Sequence, residues 1–199
     1  SGISVTVPNA VQSNTYHVYL DLVADYTDAD APDGDTVAVI GDEIHCTATT
    51  ASDNHGNVDD NINIDFTLKY NYDEADLTDG TVTIESFSAT HQGSGVWRIT
   101  RTSATVTSVT YNEFTATGNT HGITAVNMDG QGGETVIWDR VELWSASASD
   151  TRINVGANTE IRFKLRYDCD DANFDNTKGS VNIGGSAAAY DSENGWWER

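Results

Sequence analysis

The chain is 199 residues long and 38% hydrophobic, with 31 acidic against 10 basic side chains and a net charge of -21. Such a charge excludes nucleic acid and anionic membranes as natural partners. No apolar run approaches the roughly 18–20 residues a bilayer requires, and two cysteines do not make a disulfide framework. Aspartate outnumbers glutamate 22 to 9, which places most of the acid in turns and so predicts an all-β chain. No Asn-x-Ser/Thr triplet occurs, while Ser/Thr-rich strands leave O-linked sugar open. The opening Ser-Gly-Ile reads as a processed product or an excised segment.

Residues 1–41 begin with an alternating stretch in which Ile3, Val5 and Val7 share a face, followed by Tyr16 and Tyr19 and then "DGDTVAVIGD". Between these strands lies "TDADAPDGD". Its carboxylates Asp28, Asp30, Asp33 and Asp35, beside a glycine, suit a hard cation, because calcium takes six to eight oxygens. The EF-hand spacing and its closing glutamate are missing, so a solvated turn stands beside Ca2+ as a reading. No other cofactor is expected.

Residues 42–138 carry the clearest pattern. Ile62, Ile64, Phe66, Leu68, Tyr70 and Tyr72 alternate with polar neighbours, which predicts a strand with one face buried and excludes a helix. An acidic loop follows, with Asp73, Glu74, Asp76 and Asp79. Strand-like runs then recur every ~8–12 residues between Gly, Asn and Asp, the rhythm of a β-sandwich. Trp138 closes the span, where a large ring can pack between domains and limit bending.

From Asp139 the pattern starts again. "DEIHCTATTASD" falls over "DRVELWSASASD", and "NINIDFTLKYNYDEA" over "NTEIRFKLRYDCDDA", at a period of 97 residues. "GTVTI" falls over "GSVNI", which holds Val181 and Ile183, and "GVWRI" over "GWWER", with small insertions. Cys46 aligns with Leu143, and Cys169 with Tyr72, so both cysteines read as buried small hydrophobes at inward positions. Trp196 and Trp197 point to opposite faces of a strand, one toward the core and one toward an interface.

The N-terminal stretch shares the periodicity of "RITRTSATVTSVTYNEFTA", with Tyr16 over Tyr111 and Tyr19 over Phe114, and "DGDTVAVIGD" falls over "GGETVIWD". Residues 1–41 are therefore expected to be the second half of a repeat. Residues 42–138 form one whole domain, and residues 139–199 are the first half of another. A half-sandwich exposes apolar faces and unpaired edges, so something must complete it. Three completions are open: the head of another copy, the chain's own head, or neighbours in a longer tandem array.

"TVTIESFSATHQGSGVWRIT", "SVTYNEFTATGNTHGITAVN" and "TVIWDRVEL" resemble the immunoglobulin-like repeats of large archaeal cell-surface proteins. More loosely, the split-repeat layout is similar to strand-complemented archaeal pili. The resemblance implies immunoglobulin-like β-sandwich repeats and an extracellular, cell-surface or filament role. The N-terminal "LVADYTDADAPDGD" departs from it where "GNTHGITAVN" should stand.

These readings converge on a structural subunit that self-associates head to tail by β-strand complementation into a polymer. Its expected assembly residues are Ile3, Val5, Val7, Trp138, Val181, Ile183, Trp196 and Trp197. The alternative is an adhesin or a carbohydrate-binding module of a secreted protein, with surface glycans as partner. No catalytic residues are expected. His17, His45, His55, His91 and His121 are scattered without zinc spacing, and no nucleophile or phosphate-binding motif occurs.

Overall fold

A computed structural model describes residues 6, 10–17 and 36–199. Ile3, Val5, Val7, Asp28, Asp30, Asp33 and Asp35 lie outside them. The described residues are all-β, with several sheets and no helix. In chain order the strands begin with β1 Gln12–His17, β2 Thr36–Gly41, β3 Ile44–Ala51, β4 His55–Asn57 and β5 Ile62–Tyr70. Next come β6 Thr81–Ile84, β7 Phe87–Ser88, β8 Thr90–Gly93, β9 Val96–Arg101 and β10 Thr107–Tyr111. They continue as β11 Phe114–Thr117, β12 Val126–Asn127, β13 Glu134–Asp139, β14 Val141–Ala148 and β15 Ile161–Tyr167. The last are β16 Asn182–Ile183, β17 Ser186–Ala187, β18 Ala189–Asp191 and β19 Trp196–Glu198.

The chain forms two compact units. One takes the described residues up to Thr50 with Ile64–Ile99 and Tyr111–Glu134; the other takes Ala51–Asn63, Thr100–Thr110 and Thr135–Arg199.

The first unit is a sandwich of a five-stranded sheet, in the order β12-β3-β5-β9-β8, and a three-stranded sheet, β11-β6-β7. Alternation along β5 drives it: Ile64, Phe66, Leu68 and Tyr70 are buried, while Asp65, Thr67 and Lys69 between them stay half-buried. Val82, Ile84, Phe114 and Ala116 from the opposing sheet are buried as well, and the Phe66 and Phe114 rings meet edge to face at 6.2 Å. On the wet face, Arg98 grips Asp65 through two nitrogens at 2.7 and 2.6 Å. Gly95 sits at φ 71°, and a Cβ there would lie 2.6 Å from the Leu68 carbonyl oxygen, so this turn requires glycine. β1 and β2 pair antiparallel, from Gln12 opposite Gly41 to His17 opposite Thr36.

The second unit holds the sheet β10-β13-β4, the four-stranded sheet β14-β15-β19-β18 and the small β16–β17 hairpin. β13 runs parallel to β4, with Ile137, Trp138 and Asp139 opposite His55, Gly56 and Asn57. β14 pairs with β15 antiparallel, and Trp144 is a bulge between Leu143 and Ser145.

The 97-residue period governs the backbone bonding. Leu77 N donates to Leu68 O and Phe174 N to Leu165 O, both at 3.0 Å. Tyr70 N bonds Ala75 O, and Tyr167 N bonds Ala172 O. Glu74 and Asp171 both adopt φ 59° in the following turn. The indole of Trp97 donates to Leu77 O, and that of Trp197 to Phe174 O, each at 2.9 Å.

One expectation needs correction. The buried alternation was expected to run on to Tyr72 and its counterpart Cys169. β5 ends at Tyr70 and β15 at Tyr167, because the chain turns there; Tyr72 is exposed and Cys169 half-buried. Cys46 is fully buried in β3, and loss of hydration pushes its thiol up to about 11. Both cysteines are free thiols.

Candidate assembly site

Two aspartates one period apart mark the repeat starts. Oδ1 of Asp42 accepts from the amides of Glu43 and Tyr72, at 2.8 and 2.9 Å. Oδ1 of Asp139 accepts from Arg140 and Cys169, at 2.8 and 3.0 Å, and also from Asp168 at 3.1 Å. Each carboxylate thus ties the start of one strand to the turn that ends the next.

They differ at the second oxygen. Oδ2 of Asp139 lies 3.0 Å from Nε2 of His55, and the His55 ring leans on Tyr167 at 4.8 Å. Burial opposes the charge on Asp139, but the His55 bond and the Arg140 and Cys169 amides outweigh it and hold the carboxyl below its ordinary 3.8. Oδ2 of Asp42 has no such partner among the described residues. The parallel pairing of β4 and β13 seals the Asp139 corner. Val58 N donates to Asp139 O and Ile137 N to Asn54 O, both at 2.9 Å. Trp138 is buried opposite Gly56, with its indole donating to Asp60 O at 3.0 Å.

The C-terminal sheet has two unlike faces. One carries Val141, Leu143, Ile161, Phe163, Leu165 and Tyr167. Positions one period earlier are sealed: Ile44, Cys46 and Ile64 are 0% exposed, whereas Val141, Leu143 and Ile161 are 40%, 58% and 38% exposed. The residue types match, but Phe163, Leu165 and Tyr167 on the same face are half-buried and Trp197, opposite Phe163, is buried, so this face is covered less completely than its counterpart. Val181 and Ile183 are half-buried, and Ile183 belongs to the β16–β17 hairpin rather than to this sheet. Trp197 is buried, stacked near Phe174 at 6.1 Å and Tyr190 at 5.1 Å, so it is the core member of its pair.

On the opposite face, the Lys164 ammonium lies 4.9 Å from the centre of the Trp196 ring and 5.8 Å from that of Trp144, with the Arg166 guanidinium 5.6 Å from Trp144. Trp144, Lys164, Arg166, Asp171, Asn173 and Gly195 line a cleft of about 430 Å³. Arg166 is neutralised by Glu142 at 2.6 Å and Asp171 at 2.8 Å.

The acidic loops are tied into their own turns. Asp73 caps Ala75 N and Asp170 caps Ala172 N, one period apart, while Asp79 takes the amide and hydroxyl of Thr120. Sequence reading missed the His55–Asp139 pair, because 84 residues separate the partners and neither stands in a motif. The two aspartates at the alignment starts were the available signal. No family model, curated protein or solved structure matches the chain.

Proposed function

We propose that the protein is a structural subunit of an extracellular filament or surface stalk. It is built from immunoglobulin-like β-sandwich repeats and joins head to tail by strand complementation. One observation carries this reading: on the apolar face of β14 and β15, Val141, Leu143 and Ile161 are exposed, although Ile44, Cys46 and Ile64 one repeat earlier are fully buried. A layer made of second-half strands would cover that face, as β11 covers β5 in the preceding repeat. Among the described residues, β1 and β2 are strands of that kind. β1 and β2 pair with each other, as do β10 and β13, over which they fall in sequence. A subunit bearing both halves completes its neighbour, and the contact propagates. Covering a face of domain-core size makes the joint close to permanent. The resemblance to archaeal surface repeats supports the same location. The work of such a protein is mechanical: cohesion from strand pairing, and stiffness from repeats that join without a linker.

Electron microscopy of the purified chain tests this. Fibres with an axial repeat of about two domains are expected; compact monomers at every concentration would end the filament reading. The cleft under Trp144 favours a second reading, as a saccharide-binding module, since an exposed indole beside cationic and amide groups suits a sugar ring.

A further inference from the structure

The first unpaired edge of the C-terminal repeat has a built template 97 residues earlier. In that template, His55–Asn57 pairs parallel with Ile137–Asp139, the strand that leads into the next repeat. One period on, Arg152, Ile153 and Asn154 occupy the same places and pair with nothing among the described residues. Ile153 and Val155 are exposed. The turn that follows them nonetheless repeats that of the template. Asp60 N bonds Asn57 O at 3.1 Å, and Ala157 N bonds Asn154 O at 3.0 Å. Asp59 turns at φ 68°, and Gly156 at φ 85°.

The strand that would answer is Ile40–Gly41–Asp42, which falls over Ile137–Trp138–Asp139. Side chains at the seam exchange sizes in a compensating way. Trp138 lies opposite Gly56, where a Cβ would come within 2.9 Å of the Ile62 side chain. At the open edge Ile153 replaces that glycine, Thr159 replaces Ile62, and Gly41 replaces the tryptophan. A large residue faces glycine in both registers, with the partners swapped. Charge follows the same logic. His55 answers Oδ2 of Asp139; its counterpart Arg152, a permanent cation, is exposed, and Oδ2 of Asp42 has no partner among the described residues.

We propose that Arg152–Asn154 of one subunit is the seat for Ile40–Asp42 of a second copy, in parallel register. Ile40 lies opposite Arg152, Gly41 opposite Ile153, and the Arg152 guanidinium sits on the Asp42 carboxylate. This rests on the filament reading and names its contact. The repeat step selects a second copy. His55 pairs with an aspartate that follows it by 84 residues in the chain, whereas the chain's own Asp42 precedes Arg152 in sequence.

Chains carrying Ile40→Cys and chains carrying Arg152→Cys, mixed and oxidised, test it. The unsubstituted chain, with its two native cysteines, is oxidised beside them. Directly opposed strand residues lie within disulfide reach. The mixture should give a covalent dimer, each variant alone no more than the unsubstituted chain, and the double variant a ladder of multimers. Fibres by electron microscopy without a dimer in the mixture would overturn this register and leave the filament reading standing. A double variant that closes only within the monomer would overturn the second copy as occupant. Absence of any polymer, crosslinked or not, would remove both.

Discussion

At the scale of the residue, Asp139 is the most heavily bonded carboxylate described, holding three amides and His55 while almost fully buried. Asp139→Ala leaves those donors without an acceptor and should cost about 3 kcal/mol, seen as a lower urea midpoint. Asp139→Asn keeps one carbonyl oxygen and should cost less. Because the folded carboxyl titrates below the unfolded 3.8, its contribution is complete above about pH 4 and is lost as pH falls through the lower folded value. Stability of the wild type should therefore drop more steeply below pH 4 than that of Asp139→Asn, measured by urea titration across pH 2–5. Equal slopes would remove the carboxylate from the argument. None of this pairing is legible in local sequence, since hydrogen bonds across 84 residues depend on tertiary closure. Cys46 was legible as a small buried hydrophobe because strand alternation decides its face. Cys169 was not, because a turn ends the alternation two residues before it.

At the scale of the element, β14 and β15 have the composition of core strands, yet β14 is largely exposed and β15 only half-buried. Alternation showed which face is apolar; it cannot show whether anything covers that face, which depends on a layer contributed from elsewhere. The prediction at this scale exploits the mismatch. Leu143→Asp adds a charge to an exposed position, so the monomer's unfolding free energy from urea titration should change by less than about 0.5 kcal/mol. Sedimentation velocity should nevertheless show polymer suppressed at least tenfold, because the charge would be buried at the joint. At the equivalent position in the sealed repeat, Cys46→Asp should unfold the domain outright. A Leu143→Asp chain that still polymerises normally would mean that this face is not the joint. The period of 97 residues was legible because both copies keep their hydrophobic alternation. The parallel edge at β4 was not, because three residues are too few to carry a period.

At the scale of the whole molecule, a charge of -21 sets copies repelling one another before any contact forms. The proposed joint is mainly apolar, with one ion pair between Arg152 and Asp42. Salt therefore acts in two directions: it screens long-range repulsion between subunits and weakens the single pair at the edge. The first effect wins, because an exposed pair contributes only about 0–1 kcal/mol while the repulsion sums over the whole surface. Screening shortens the Debye length from about 30 Å at 0.01 M to about 8 Å at 0.15 M. Polymer should then appear at lower protein concentration as NaCl rises, followed by light scattering. Arg152→Glu should raise the onset concentration at every salt level, and most at the lowest, where the new like-charge contact is least screened. An onset that climbs with salt would place ion pairs rather than apolar burial in charge of assembly, and the apolar face of β14 and β15 would then need another occupant.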